Sequence, residues 1–208
     1  MKNIKTTIFL IRHGEIDNPN KVLYGSNINL LLNEKGKDQI KSLAKKLKKS
    51  GYKIDKIYTS PLKRALMSSG IIADVLGLKN EVLTEEDLTD ASIPVIAGKP
   101  LALRKEIHES GTDEYDEDFA EKGNEAREHI VDRMKKVLFK ITDNNFGKNI
   151  AIVSHGDPLQ FLIYALGHPE EKRVLPMNVL VKDNYPQKGQ AVKIILDQNE
   201  KLIEKEYI

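Results

Sequence analysis

Two unbroken apolar runs, Ile8 to Ile11 and Ile150 to Val153, each give way abruptly to a polar tip that ends in His-Gly. The first tip is Arg12-His13-Gly14 and the second Ser154-His155-Gly156. Short apolar runs with no alternation suit strands buried on both faces, as in a parallel sheet with helices above and below. In open α/β sheets ligands bind beyond the carboxyl ends of such strands. The first tip offers a planar guanidinium suited to phosphate and an imidazole that is neutral near pH 7. Its glycine leaves the backbone open to close approach by a ligand.

The rest of the chain supplies helices for both faces. After Gly14 the turn formers of Glu15 to Asn20 leave the tip as a loop that continues through Val22 to Gly25. Asn18 and Tyr24 on this loop either reach whatever sits at Arg12 and His13 or only shape the loop. Asn33 is placed to cap a helix on which Ile40, Leu43, Ala44 and Leu47 recur at helical spacing, with lysines on the solvated face and Gly51 at the end. A second strand, Ile54 to Tyr58, runs into Thr59-Ser60-Pro61, where Ser60 reads as an N-cap and Pro61 as the first helical residue. Arg64 then falls on the first turn, where guanidinium and positive helix end act on the same anion. An arginine there opposes the helix dipole, which points to function rather than local stability.

Glu81 to Leu83 reads as a third strand. Between Glu106 and Glu121 stand eight acidic residues and no lysine or arginine. With Gly111 and few apolar anchors, this segment predicts a mobile or lid-like excursion. Asn124 is expected to open a helix with Ile130, Val131, Met134, Leu138 and Ile141 on its apolar face, and Asp157-Pro158 to start one that runs to Gly167. The runs Asn178 to Val181, Gln190 to Leu196 and Lys201 to Glu206 read as strands of an antiparallel edge. His108, His129 and His168 lack any partner pattern and read as structural or exposed.

A length of 208 residues favours one domain, 1–208, with the lid-like insertion at about 90–123. The net charge of +2 offers no concentrated basic surface for nucleic acid, and the absence of cysteine excludes disulfides, thiolate metal sites and cysteine nucleophiles. No apolar run approaches the roughly 18 residues of a membrane span, and the N-terminal run is too short for a signal peptide. A cytoplasmic protein with no nucleic-acid or membrane partner is expected.

Four stretches together resemble the histidine phosphatase superfamily, the group that includes cofactor-dependent phosphoglycerate mutases. They are Arg12-His13-Gly14-Glu15; Leu30 through Gln39, with Leu32 where threonine is usual; Thr59-Ser60-Pro61-Leu62-Lys63-Arg64-Ala65; and Val153-Ser154-His155-Gly156. The resemblance covers nearly the whole chain. It implies a phosphoglycerate mutase-like, three-layer α/β sandwich, with a mainly parallel mixed sheet and helices on both faces. By the same resemblance His13 is the nucleophile, Arg12, Arg64 and His155 grip the phosphate, and Asn18 assists. The acidic segment after Asp90 corresponds to the family's insertion over the pocket. Family phosphatases place an acid eight residues before a glycine, and Asp90 stands so before Gly98. The glycine and aromatic residue usual between them are replaced by Ile93-Pro94-Val95-Ile96, which admits Glu86 as a rival acid.

These residues suffice for phosphoryl transfer, which passes through a loose transition state and is catalysed mainly by positioning and electrostatics. Two arginines and a second histidine can surround the equatorial oxygens with no metal or other cofactor. Cationic neighbours keep His13 unprotonated for attack. An acid then protonates the leaving oxygen and later takes a proton from the water that clears the phosphohistidine. The expected activity is metal-independent hydrolysis of a small phosphorylated metabolite. Alternatives are a phosphoglycerate mutase, opposed by the acidic segment where a bisphosphate would need cations, and a non-catalytic phosphate-binding module. A metal site on His13 and His155 lacks a carboxylate ligand pattern, and both arginines would repel the ion.

Overall fold

The computed structural model describes residues 5–171, 173–182 and 184–208. The chain runs β1 (Thr6–Arg12), α1 (Glu34–Lys49), β2 (Lys56–Thr59), α2 (Lys63–Leu76), β3 (Val82–Thr84), α3 (Leu101–Glu109), α4 (Glu117–Ala120) and α5 (Arg127–Asp143). It continues through β4 (Asn149–Ser154), α6 (Gly156–Gly167), α7 (Met177–Leu180), β5 (Ala191–Leu196) and β6 (Leu202–Tyr207). The six strands form one sheet in the order β3-β2-β4-β1-β5-β6. The first four in that order are parallel, and β5 and β6 add an antiparallel edge.

The apolar runs are unbroken because the sheet has a core on each face. On β1, Ile8 and Leu10 pack on the side of α5 and α6, while Phe9 and Ile11 pack on the side of α1 and α2. On β4, Ile150 and Ile152 divide from Ala151 and Val153 in the same way. Every one of these residues is at most 1% exposed. Register pairs Arg12 with Ser154, so the two polar tips leave the sheet side by side.

Local starts and stops differ from the sequence pattern where side chains found other partners. Asn33 caps α1 as expected, accepting the Gly36 N–H at 2.8 Å. The helix after β2 begins at Lys63, not Pro61. Ser60 Oγ accepts from the Leu62 N–H at 3.2 Å, and the Lys63 N–H goes to Asn29 Oδ1 at 2.9 Å, a cap supplied from a distant loop. Asn124 does not open α5, because its amide is used to tie the Val95 N–H to the Glu114 carbonyl. The helix α6 starts at Gly156, with Asp157 and Pro158 already inside its first turn. The run Asn178 to Val181 is not a strand: most of it lies in the helical turn α7, whose Met177 and Leu180 are buried at i,i+3 spacing.

The acidic segment departs furthest from expectation. It carries α3 and α4, and Asp113 and Glu114 are at most 1% exposed. Asp113 accepts from Arg127 and from the Met177 N–H, while Arg104 and His108 pair with Glu114. Arg104 and Arg127, both outside the eight-acid run, neutralise its buried part, and Ile107 and Tyr115 anchor it in the core.

Candidate active site

A cleft of about 530 Å³ opens at the carboxyl edge of β1, and Arg12, His13, Asn18, Tyr24 and Asp90 are on its wall. His13 is held there by close backbone packing. A Cβ on Gly14 would stand 2.3 Å from the Gly36 carbonyl oxygen, and one on Gly36 would stand 2.0 Å from the Glu15 carbonyl oxygen. The glycine of the first tip therefore admits the first turn of α1 rather than a ligand, and Gln39 accepts the Glu15 N–H at 2.9 Å.

His13 is 1% exposed, and its Nδ1 lies 2.7 Å from the Gly14 carbonyl oxygen. A carbonyl only accepts, so Nδ1 carries the hydrogen and Nε2 keeps its lone pair. Burial, reinforced by His155, Arg64 and Arg12, pushes the proton affinity of His13 well below the usual imidazole range. A neutral ring with an open Nε2 is a nucleophile that needs no separate base. Beside it, Arg12 donates Nη1 to the Pro186 carbonyl at 2.9 Å and lies over the Tyr185 ring at 5.0 Å. Its Nε is buried without a hydrogen-bond partner among the described residues.

His155 lies 5.2 Å from His13 between ring centroids, but both its nitrogens are engaged. Arg64 Nε donates to His155 Nδ1 at 3.2 Å, which places the ring hydrogen on Nε2, where it goes to Ser60 Oγ at 2.8 Å. Burial first, then Arg64, Arg133 and Arg12, lowers the proton affinity of His155 as well. Arg64 is fully buried: Nη1 donates to the Ile28 carbonyl, and Nη2 to the Gly25 carbonyl at 2.7 Å and Asp90 Oδ2 at 2.9 Å. Arg64 and His155 thus sit behind Asp90 and outside the cleft lining. Asp90 faces the cleft with its Oδ1 on the Ala91 N–H, whereas Glu86 is exposed in a short 3₁₀ turn and away from the cleft. Asn18 lines the wall but spends its amide on both backbone groups of Val22, and Tyr24 lies under Arg64 at 5.0 Å.

Sequence reasoning missed a second group on the wall. Asp157 accepts from Arg104 Nη2, Tyr115 Oη and Tyr185 Oη, each at 2.5 Å. Burial alone would raise its pKa, but Arg104 and the two hydroxyls outweigh that and hold it below the usual carboxylate value. The third tip residue again reports crowding: a Cβ on Gly156 would stand 2.0 Å from Tyr185 Oη and 2.9 Å from Arg12 Cζ. A lone arginine just before an acidic run was a readable signal for Arg104. Tyr185 lies between turns near the C-terminus and carried none.

The model of the histidine phosphatase superfamily, branch 1, matches residues 8–181. The chain belongs to that superfamily. Together with its phosphatase relatives, this membership supports hydrolysis of phosphomonoesters through a phosphohistidine. Among curated relatives of this histidine phosphatase is phosphoglycerate mutase-like protein 4 of Arabidopsis thaliana, 30% identical over 80% of this chain and 73% of the relative. Phosphoserine phosphatase 1 of Hydrogenobacter thermophilus is 28% identical over 76% and 75%. Among solved structures, Bacillus stearothermophilus YhfR superposes with a TM-score of 0.77 at 24% identity, covering 95% of this chain and 94% of that one. A phosphoglycerate mutase from Bacillus anthracis reaches 0.75 at 19% identity, covering 99% and 93%. These structural likenesses establish the fold, a mixed six-stranded α/β sheet of the phosphoglycerate mutase-like kind.

Proposed function

We propose that this histidine phosphatase acts on small phosphorylated metabolites, with His13 as the nucleophile, Asp90 as the general acid and water as the acceptor. The observation that carries this reading is the open Nε2 of a neutral His13 on a cleft wall that Arg12 and Asp90 share. In the first step Nε2 forms a bond to phosphorus while the ester P–O bond breaks and the leaving oxygen takes a proton from Asp90. Water then attacks the phosphohistidine, Asp90 takes its proton, and the P–N bond breaks to return neutral His13. A phosphoryl oxygen competes with Asp90 Oδ2 for Arg64 Nη2, so the same guanidinium holds the acid before binding and the phosphate after it. His155, tied between Arg64 and Ser60, keeps that guanidinium aimed. Asn18 and Tyr24 take part as wall residues, and the 90–123 segment, which contributes Arg104, Glu114 and Tyr115 to the cleft, acts as its cover. A cytoplasmic location belongs to the same reading, and imaging of a tagged protein tests it.

An anionic substrate fits the charges left over. Lys21 and Lys188 line the cleft without an ion-pair partner among the described residues, and burial and Arg12 lower the proton affinity of Lys188. A mutase reading is favoured by relatives that include the 2,3-bisphosphoglycerate-dependent phosphoglycerate mutase of Thermoplasma acidophilum, 32% identical over 78% of each chain. Against it, the cation that the cover contributes to the cleft wall, Arg104, is already spent on Glu114 and Asp157.

Labelled substrate quenched in alkali should leave acid-labile phosphate on the protein, and His13→Ala should abolish it. Activity should survive a strong chelator, and 3-phosphoglycerate with a trace of its bisphosphate should give little 2-phosphoglycerate. Alkali-stable label persisting in His13→Ala would overturn the nucleophile assignment, and rapid interconversion without phosphate release would establish the mutase. The acid is tested by leaving group. Asp90→Asn should slow phosphoenzyme formation from alkyl phosphates by about 10²–10⁴-fold and from p-nitrophenyl phosphate far less. Glu86→Gln should slow both slightly and equally; a leaving-group split in that variant instead would move the role to Glu86.

A further inference from the structure

Arg133 lies on α5, outside the cleft lining, and is only 8% exposed. A buried guanidinium is costly unless its donors are matched, so where they go shows what it is for. Nε and Nη2 form a fork on Glu125, at 2.6 Å to Oε1 and 3.1 Å to Oε2. Nη1 leaves the helix and donates to two main-chain carbonyls, Asp87 at 2.7 Å and Thr89 at 2.9 Å. The carbonyl between them, on Leu88, accepts from Ser154 Oγ at 2.8 Å, the residue that precedes His155. All three carbonyls leading into Asp90 are therefore held by side chains from α5 and β4.

The chain after Asp90 is held by the same fork. Glu125 Oε2 accepts the Ser92 N–H at 3.1 Å, and the Glu125 N–H donates to the Ser92 carbonyl at 2.7 Å. Asp90 is thus clamped from both sides by one Arg133–Glu125 pair. Its own Oδ2 is left to choose between Arg64 and an incoming group.

We propose that Arg133 is a positioning residue for the general acid: it fixes the 87–92 turn so that the Asp90 carboxyl meets the leaving oxygen. The inference rests on the reading of Asp90 as the acid. Lysine keeps the charge but cannot span Glu125 and two carbonyls at once. Methionine keeps the apolar stem and removes both charge and donors. Displacing a catalytic group by about 1 Å costs on the order of 10²-fold, and here the cost should fall on the step that needs a proton.

The experiment measures single-turnover phosphoenzyme formation from an alkyl phosphate and from p-nitrophenyl phosphate, in Arg133→Met, Arg133→Lys, Asp90→Asn and the Arg133→Met/Asp90→Asn double variant. We expect both Arg133 variants to lose on the order of 10²-fold on the alkyl substrate and only a small factor on the phenyl one. In the Asp90→Asn background, Arg133→Met should cost little more, because the group it positions is already gone. A purely structural role would lower both substrates in proportion to the folded fraction, and would add to Asp90→Asn; either result overturns the proposal. Full recovery in Arg133→Lys would also overturn it, by showing that charge felt at His155 is what counts. Should Arg133→Met fail to fold, Ser154→Ala, which frees only the Leu88 carbonyl, must show the same leaving-group split in weaker form. A split in Asp90→Asn without one in the Arg133 variants refutes this inference alone, whereas no split in Asp90→Asn refutes the acid assignment beneath it.

Discussion

The two strand tips carry the same His-Gly dipeptide on neighbouring parallel strands, yet the surroundings leave their rings in opposite hydrogen-bonding states. At the β1 tip one ring nitrogen of His13 is bound to a backbone carbonyl and the other is open to the cleft. At the β4 tip both ring nitrogens of His155 are taken, by Arg64 and Ser60, and the ring is off the cleft wall. The glycines differ as well. Gly14 makes room for the backbone of α1, and Gly156 makes room for the Tyr185 hydroxyl and the Arg12 guanidinium. Chemistry at a histidine is decided by which of its nitrogens the fold leaves unoccupied, and the residue type alone does not say.

The largest expected effect tests that contrast directly. His13→Ala should reduce turnover by on the order of 10⁴-fold or more and leave no phosphoenzyme. His155→Ala should still form the phosphohistidine, slowed by roughly 10²–10³-fold, because only the support of Arg64 is lost. Label that survives in His13→Ala and vanishes in His155→Ala would exchange the two roles.

Alanine at the glycines should sharpen the comparison at intermediate size. In Gly14→Ala the obstacle is the Gly36 carbonyl, 2.3 Å away, so backbone must shift, and a loss of about 1–3 kcal/mol in unfolding stability is expected. In Gly156→Ala the nearest obstacle is the far end of a tyrosine side chain, so stability should fall less and activity more, through displaced Arg12 and Tyr185. Equal stability losses measured by denaturant titration would show that the second tip is as rigid as the first.

The smallest effect is in pH dependence, where the tips should behave alike. Both histidines have their folded-state pKa lowered well below 6.5, chiefly by burial. As pH falls through about 6.5 the unfolded chain takes up protons that the folded chain refuses, so stability drops on the acid side and is regained as pH rises. The slope should reach at most about 1.4 kcal/mol per pH unit for each histidine. His13→Gln and His155→Gln should each remove about half of it; removal by one variant alone would mean that the other histidine is charged in the folded protein. By the same shift, the acid limb of kcat/KM due to His13 should lie below the ordinary imidazole value.

Much of this was legible in the residues, and for identifiable reasons. The runs in β1 and β4 declared strands buried on both faces, since only a sheet with two cores leaves no position for a polar residue. Asn33 and Gly51 marked helix ends because capping is a local matter, and Arg12 and His13 could be named from their place at a strand tip, whereas Asp90 came only through the family's spacing of an acid before Gly98. The starts of α2 and α5 are set by partners far along the chain. At α2 Ser60 keeps the local Leu62 N–H while Asn29 caps the Lys63 N–H, and Asn124 leaves the start of α5 to bond Val95 and Glu114. Local propensity loses where a distant partner offers more.

The acidic segment shows the limit most clearly. Eight carboxylates in a row of sixteen positions read as a mobile excursion, because the cations that neutralise Asp113 and Glu114 stand outside that run, on α3 and α5. What the sequence by itself determined was the alternation of elements, the two tips and the residue types able to transfer a phosphoryl group, since these depend on spacing along one strand or helix. What only the tertiary structure decided was which imidazole nitrogen stays open, that Arg64 meets Asp90 behind the wall, and that Asp157 gathers Arg104, Tyr115 and Tyr185. Those are relations between groups far apart in the chain. Their free energies depend on distance, burial and the competition for each donor, and none of these exists until the sheet has brought the groups together.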